Sequence, residues 1–326
     1  MITLYEATGS CLTKRDAAID LTAATVWIDL LNPTDAEESG IEKALSIDVP
    51  TRAEMREIEA SNRYYSEDGA QFMTAFVVHS SDAETVTTSN ITFILAANRL
   101  ITVRYGEPKA FTLFADRACR GLDPCGSGAL VMIGLIEALI QRQADLIERL
   151  QDGVETLAPK IFGQKAHGSS GGSGSRRLEE MLQSIGKQGD VTSRTQESAT
   201  SLHRTLLYFA DAVRQSGDDS KLIARIESAD RDIVSLSEQL RFVSGRTSFL
   251  LEATLGMIST EQNQIIKLFS VMAVMLMPPT LVASVYGMNF KHMPELDWPW
   301  GYPLAIGLMI VSGLIPFVYF RRKGWL

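Results

Sequence analysis

Cysteine and histidine are scarce in this chain. Cys11, Cys119 and Cys125 are odd in number, and their spacing fits neither a disulfide framework nor a zinc motif. They read as buried or idle thiols of a reducing compartment. His79, His167, His203 and His292 stand singly, and none pairs at metal-ligand spacing. The sequence carries no phosphate loop, no paired catalytic carboxylates and no nucleophile motif, which argues against an enzyme and against any catalytic cofactor. Met1 to Asp20 lacks the basic start and apolar run of a signal peptide. An excess of basic charge is also absent. The formal net charge is −8, which disfavours nucleic acid as a partner.

Charge is missing altogether from two stretches near the C-terminal end. The mean hydropathy of +0.04 conceals them. Leu268 to Tyr286 is uncharged and interrupted only by Pro278-Pro279 and a few hydroxyls, and Tyr302 to Phe320 is uncharged as well. Each has the length of roughly 20 residues that a helix needs to cross hydrocarbon. A pair of buried core helices would read similarly, but the flanks argue against it. Trp298, Trp300 and Tyr302 gather at one end of the second stretch, as in an interfacial aromatic belt. Lys267 precedes the first stretch, and Arg321, Arg322 and Lys323 follow the second. The connecting loop sets Lys291 against Glu295 and Asp297. Basic residues at the two outer ends of a hairpin predict that both termini face the cytoplasm and the loop faces outward.

Upstream, Met1 to about Cys125 reads as α/β. Thr25–Leu30, Gln71–Val78 and Ile91–Leu95 are rich in β-branched and aromatic residues and predict strands. Ala97-Asn98-Arg99 predicts a tight reversal into a strand at Leu100–Arg104. Asn32-Pro33-Thr34-Asp35 and Pro108 predict helix starts. Between Ala129 and Leu157 apolar residues recur at three and four, with Leu135, Leu139, Leu146, Leu150 and Leu157 on one face of a long helix. The run Gly168–Ser175 predicts a flexible coil without chemistry. Helical patterning resumes at Arg176 and breaks once near Gly217-Asp218-Asp219. From Lys221 to Tyr286 it meets no proline before Pro278, which predicts one helix of roughly 100 Å. A lone helix of that length is poorly supported, so the chain is expected to oligomerise.

The expected fold is thus an α+β membrane protein. A cytoplasmic α/β domain spans 1–125, a cytoplasmic long-helix region 126–264, and a pore-lining span 265–289. An external (periplasmic) loop follows at 290–301, then a second span at 302–321 and a basic tail at 322–326. Along the first span, Asn263, Ile266, Ser270, Ala273, Met277, Thr280 and Ser284 follow a 3.5-residue repeat, the seam of a supercoiled bundle. The row is polar at its start, apolar in the middle and hydroxylated toward Tyr286-Gly287-Met288-Asn289-Phe290. Plain helix–helix packing through small residues explains the same periodicity. A glycine and an amide at the outer end of a membrane helix point instead to a pore mouth for cations. No Asp or Glu lies between Gln262 and Phe290. Carboxylates there would hold a divalent ion too tightly for conduction.

Tyr286-Gly-Met-Asn289, followed by Met293-Pro294-Glu295-Leu296, two closing apolar spans and a basic end with Trp325-Leu326, resembles the CorA family of divalent-cation channels. Glu261-Gln262-Asn263, Pro278-Pro279-Thr280 and Gly301-Tyr302-Pro303 share the likeness. Close motif resemblance covers about Glu261 to Leu326. It implies a multi-pass protein of the bacterial inner membrane, and a homopentamer whose first spans line a pore for Mg²⁺, with Co²⁺ and Ni²⁺ also carried. It implies that Asn289 forms the outer selectivity ring, with Gly287 and Met288 shaping the mouth and Thr280, Met277 and Asn263 further down. Met277 and its apolar neighbours would make a dewetting constriction. Glu295 and Asp297 would attract cations outside. Lys267, Arg321, Arg322 and Lys323 would form a basic collar that anchors lipid headgroups. The resemblance also implies cytoplasmic Mg²⁺ bound between protomers and favouring the closed state. Glu227, Asp230 and Asp232 are candidates for one side of that site, and Asp82 or Glu84 for the other, although a solvated acidic face accounts for them at least as well. Two alternatives remain at this stage: the zinc-transporting branch of the family, and a non-conducting helical scaffold.

Overall fold

The computed structural model describes residues 1–9, 11–15, 21–57, 59–80, 86–163, 173–217, 220–288 and 298–325. Two compact units emerge. The first comprises residues 1–168 and 180–251, the second residues 169–179 and 252–326.

The first unit is built on a seven-stranded sheet in the order β2-β1-β3-β7-β6-β5-β4. Its strands are β1 (Ile2–Thr8), β2 (Cys11–Arg15), β3 (Thr25–Leu31), β4 (Tyr64–Glu67), β5 (Ala70–Ser80), β6 (Val86–Ala96) and β7 (Arg99–Arg104). Only β3 and β7 pair in parallel; the other neighbours are antiparallel. The four expected strand runs fall inside β3, β5, β6 and β7, and the reversal at Ala97 joins β6 to β7, with Ala97 at φ +51°. Strands β1, β2 and β4 were not anticipated.

Helix α1 (Asp35–Leu45) starts where Asn32-Pro33-Thr34 predicts. Thr34 caps it, and Glu37 returns a hydrogen bond by accepting from the Thr34 backbone N–H at 2.9 Å. One sheet face and α1 enclose a core around Leu4, Ile28, Leu30, Ile41, Phe72 and Ile101. The other face carries Trp27, stacked on Tyr5 at 4.1 Å and edge-on to Phe114 of α3 (Lys109–Cys119). A short helix α2 (Ala60–Arg63) precedes β4.

Helix α4 (Gly128–Phe162) buries Leu135, Leu139, Leu146 and Leu150, as the periodicity requires. Helix α5 (Ser173–Gln215) begins inside the Gly/Ser run, which corrects the expected coil at its last three residues, Ser173–Ser175. A helix gains one hydrogen bond per residue added, so a neighbouring helix-forming run from Arg176 onward extends backwards over weak formers. Residues 164–172, with the rest of that run, lie outside the described residues. Because β4 is only four residues long, the far half of β5 has no strand on its outer side. Helix α5 covers that edge. Phe76 N–H donates to Ser201 Oγ at 2.8 Å and Val78 N–H to Ser198 Oγ at 3.1 Å. Gly217, at φ +70°, stands at the predicted break, and α6 (Ser220–Tyr286) follows as one helix of 67 residues. Arg225 of α6 clamps Glu137 of α4, with Nε to Oε1 at 2.7 Å and Nη2 to Oε2 at 2.5 Å.

In the second unit, the C-terminal part of α6 packs against α7 (Gly301–Arg322). Both helices are long and apolar enough to cross a membrane.

Candidate ion pathway

One face of the α6 span meets α7. Val271 is fully buried there, and Met275, Pro278, Pro279, Val282 and Tyr286 are half-buried. On α7 the matching stripe is Gly301, Ala305, Met309, Ser312 and Gly313, mostly small residues that let two membrane helices approach. Pro279 has no N–H, so the Met275 carbonyl loses its partner four residues on. Gly313 faces this spot, where a Cβ would lie 3.6 Å from Met275 O and 3.4 Å from Pro279 Cγ. The small-residue spacing on α7 is the signal by which this seam is readable in the sequence.

The opposite face of α6 is uncovered. Asn263, Ile266, Ser270, Ala273, Met277, Thr280 and Ser284 are all exposed, with Ile266 at 61% and Met277 at 68%. This face is the row with the 3.5-residue repeat. It runs from an amide, through apolar side chains, to hydroxyls, and carries no charge. Thr280 Oγ donates to Leu276 O at 2.7 Å, so its remaining lone pairs point away from its own backbone as acceptors. The helix ends at Tyr286, with Gly287 N–H donating to Ala283 O at 2.9 Å and Met288 N–H to Val285 O at 3.3 Å. A Cβ at Gly287 would press on Ala283 O at 3.1 Å, the carbonyl that accepts this closing bond. Asn289, Glu295 and Asp297 lie outside the described residues, as do Asp82 and Glu84.

At the other end of this helix pair, the Lys267 ammonium sits over the Trp325 ring at 5.9 Å, and Lys323 sits over Tyr319 at 5.3 Å. Arg321 and Arg322 close α7 within the same turn. The basic residues therefore gather at one end of the hairpin, and the aromatics Trp298, Trp300 and Tyr302 begin the other end of α7.

Two of the regulatory candidates are engaged within the chain. Asp230 Oδ1 lies 2.5 Å from His203 Nδ1, and Glu227 accepts from Arg214 at 3.0 Å. Sequence reasoning missed both partners, because α5 and α6 bring them together across the break at Gly217. Asp232 is exposed and forms no ion pair among the described residues. Among the described residues no three His, Cys, Asp or Glu side chains gather closely enough to hold a metal ion. Burial pushes the Cys125 thiol up to about 12, with Asp123 adding to it, so this cysteine stays protonated.

A mixed sheet domain, a 67-residue helix and a closing pair of apolar helices, both long and apolar enough to cross a membrane, give the layout of a membrane protein with two candidate spans. The family described as CorA-like Mg²⁺ transporter protein matches residues 22–322, and the chain belongs to that family. Similar proteins include the magnesium transport protein CorA of Pectobacterium atrosepticum, 36% identical over 95% of both chains. The CorA protein of Haemophilus influenzae is 34% identical over the whole of both. Among solved structures, CorA from Methanocaldococcus jannaschii superposes with a TM-score of 0.71 at 17% identity, covering 100% of this chain and 99% of that one. Full-length CmaX gives 0.64 at 16% identity, over 100% and 98%. These two likenesses concern the fold.

Proposed function

We propose that this chain assembles as a homopentamer around the uncovered face of α6 and passes Mg²⁺ into the cell, admitting Co²⁺ and Ni²⁺ as well. The observation that carries this reading is the exposed, carboxylate-free row from Asn263 to Ser284, on the side of α6 that α7 leaves bare and leading to Gly287-Met288-Asn289. Mg²⁺ sheds water reluctantly. A ring of Asn289 carboxamides accepts hydrogen bonds from the hydrated ion without stripping it, and the hydroxyls of Thr280 and Ser284 continue that acceptor lining. Met277 and Ala273 form an apolar constriction that opens by wetting. Glu295 and Asp297 raise the cation concentration at the mouth.

Transport is passive and non-enzymatic. The membrane potential supplies about 2.3 kcal/mol per charge per 100 mV, twice that for a divalent ion. The protein spans the bacterial inner membrane with both termini inside. Lys267, Arg321, Arg322 and Lys323 sit at the inner headgroup level and hold lipid phosphates. Internal Mg²⁺ acts as a regulatory ligand that favours the closed state by binding it better than the open one. Glu227, Asp230 and Asp232 are the carboxylates on one side of that site, and Asp82 or Glu84 those on the other.

Flux into proteoliposomes, comparing Mg²⁺, Co²⁺ and Zn²⁺ at an imposed inside-negative potential, tests the proposal. Saturable Mg²⁺ entry without nucleotide is expected. Entry of Zn²⁺ alone would assign the chain to the zinc-transporting branch, and absence of any flux would leave a scaffold.

A further inference from the structure

In the first unit, two adjoining cavities of about 620 and 390 Å³ open between α2, β4, β6, α5 and α6. They share Arg63 and Glu197 in their walls, so they form one groove. Five guanidinium groups line it: Arg52 and Arg56 in the smaller part, Arg204 and Arg241 in the larger, and Arg63 between. None of the five is in an ion pair with a described carboxylate. This contrasts with Arg15, Arg104, Arg117, Arg142, Arg214 and Arg225, each of which has one. Arg52 is held over the Tyr105 ring at 5.1 Å, and Arg63 Nε donates to Glu57 O at 2.6 Å, so two of the five are fixed in place.

Five guanidinium groups face one lining carboxylate, Glu197, and in a chain of net charge −8 such a concentration of positive charge is out of keeping with the remainder. Guanidinium is also the group best shaped for bidentate binding of phosphate. Behind the same walls, Ser89 Oγ, Asn90 Oδ1 and Gln196 Oε1 are buried and lack a hydrogen-bond partner among the described residues. The Ser89 hydroxyl can donate to a phosphate oxygen, whereas the Asn90 and Gln196 amide oxygens accept and gain from a hydroxyl or amino group on the organic part. Tyr64, Phe76 and Tyr105 supply flat apolar surface beside the arginines. The volume lies in the range of small-molecule sites, roughly 300–1,000 Å³.

We infer that this groove binds a soluble polyphosphate ester of the nucleoside triphosphate kind. The phosphates lie along Arg63, Arg204 and Arg241, and the organic part lies toward Arg52 and Tyr105. Five separated positive groups match a chain of phosphates better than a single one. Glu197 repels the phosphates and limits the affinity. The inference stands apart from the transport reading, since it uses no residue of α7 or of the α6 span.

Calorimetric titration of the full-length protein in detergent, with EDTA and about 0.15 M NaCl, tests it with three probes: ATP, inorganic tripolyphosphate and adenosine. Saturable binding of ATP and of tripolyphosphate, one per chain, and none of adenosine, is expected. Arg204→Gln with Arg241→Gln should weaken ATP by at least about tenfold. Glu197→Gln should tighten it, a gain that a merely structural role would not produce. Arg120→Gln, an exposed arginine outside the groove, should leave it unchanged. Should the double variant misassemble on gel filtration, Arg204→Gln alone, at an exposed position, carries the test. Absence of saturable ATP binding, or binding indifferent to Arg204 and Glu197, would overturn the assignment.

Discussion

Gly313 of α7 lies against Pro279 of α6 so closely that a Cβ on the glycine would stand 3.4 Å from the proline Cγ. Such contact is at the edge of ordinary packing, so Gly313→Ala should be tolerated, with Mg²⁺ flux and detergent-extracted assembly near wild type. Gly313→Leu has no room and must push the helices apart, exposing the Met275 carbonyl that lost its donor to Pro279. We expect loss of the assembled oligomer on gel filtration for leucine and retention for alanine. Equal behaviour of the two would show that this contact does not hold the pair together.

In the proposed pore, the amide at position 289 holds hydrated Mg²⁺ loosely. Asn289→Ala should abolish Mg²⁺ uptake while the oligomer still forms. Asn289→Asp replaces a neutral acceptor ring by carboxylates, which bind divalent ions more tightly and release them slowly. Its flux should saturate at lower Mg²⁺ and reach a lower maximum. Both are read by fluorescent-indicator uptake in proteoliposomes, and normal uptake by Asn289→Ala would remove this residue from the selectivity role.

Within the sheet, Asp29 accepts from Arg104 Nε at 2.9 Å, Arg104 Nη2 at 2.7 Å and Thr102 Oγ at 2.8 Å, while Thr102 in turn accepts from Trp27 Nε1 at 3.0 Å. Both partners of the ion pair are nearly buried. Asp29→Asn leaves the Arg104 charge uncompensated and should cost about 3–5 kcal/mol. That corresponds to a fall in unfolding temperature on the order of 10 °C. Asp29→Leu combined with Arg104→Met removes both charges and should recover most of the loss, as scanning fluorimetry of the full chain would report.

Such a pair is hard to foresee. Residues 29 and 104 are 75 apart in sequence and meet only because β3 lies parallel to β7, a pairing that no local pattern encodes. The same holds for His203 with Asp230 and for the serines of α5 on the edge of β5. By contrast, periodic features were readable. The buried leucines of α4, the cap at Thr34, the break at Gly217 and the two apolar helices follow from spacing and turn chemistry within one element. Strands β1, β2 and β4 escaped notice because they are edge or near-edge strands with polar residues such as Thr13-Lys14-Arg15, which do not look like a core. The exposed row of α6 was legible as a repeat. The reason it is free, the small-residue seam with α7 on the other side, is tertiary.

His79 lies near Arg104, and burial first, then that positive charge, lowers its pKa below the ordinary value of about 6.5. Its folded pKa being depressed, the unfolded chain binds more protons between the two values. Stability therefore rises with pH across that window. Acidification from pH 7.5 to below 6 should lower the unfolding temperature, and His79→Gln, which keeps a polar group beside the Thr87 hydroxyl 3.2 Å away, should flatten that portion of the profile. An unchanged slope in the variant would assign the acid sensitivity to other groups.

The proposed regulation by internal Mg²⁺ can be separated from simple folding effects because the three candidate carboxylates differ in their partners. Asp230 is bound to His203 and Glu227 to Arg214, so neutralising either breaks a contact inside the chain as well as removing charge. Asp232 is exposed and has no ion pair among the described residues, so Asp232→Asn removes charge alone. Neutralising all three should weaken inhibition of flux by Mg²⁺ trapped inside vesicles, shifting the half-inhibitory concentration upward by about tenfold, as loss of roughly 1.4 kcal/mol of preference for the closed state requires. Asp232→Asn alone should give part of that shift with unaltered thermal stability. His203→Gln, which disturbs the Asp230 contact while leaving every carboxylate in place, should change stability without reproducing the shift. Inhibition that stays the same in the triple variant would detach these residues from gating and return them to a solvated helix face.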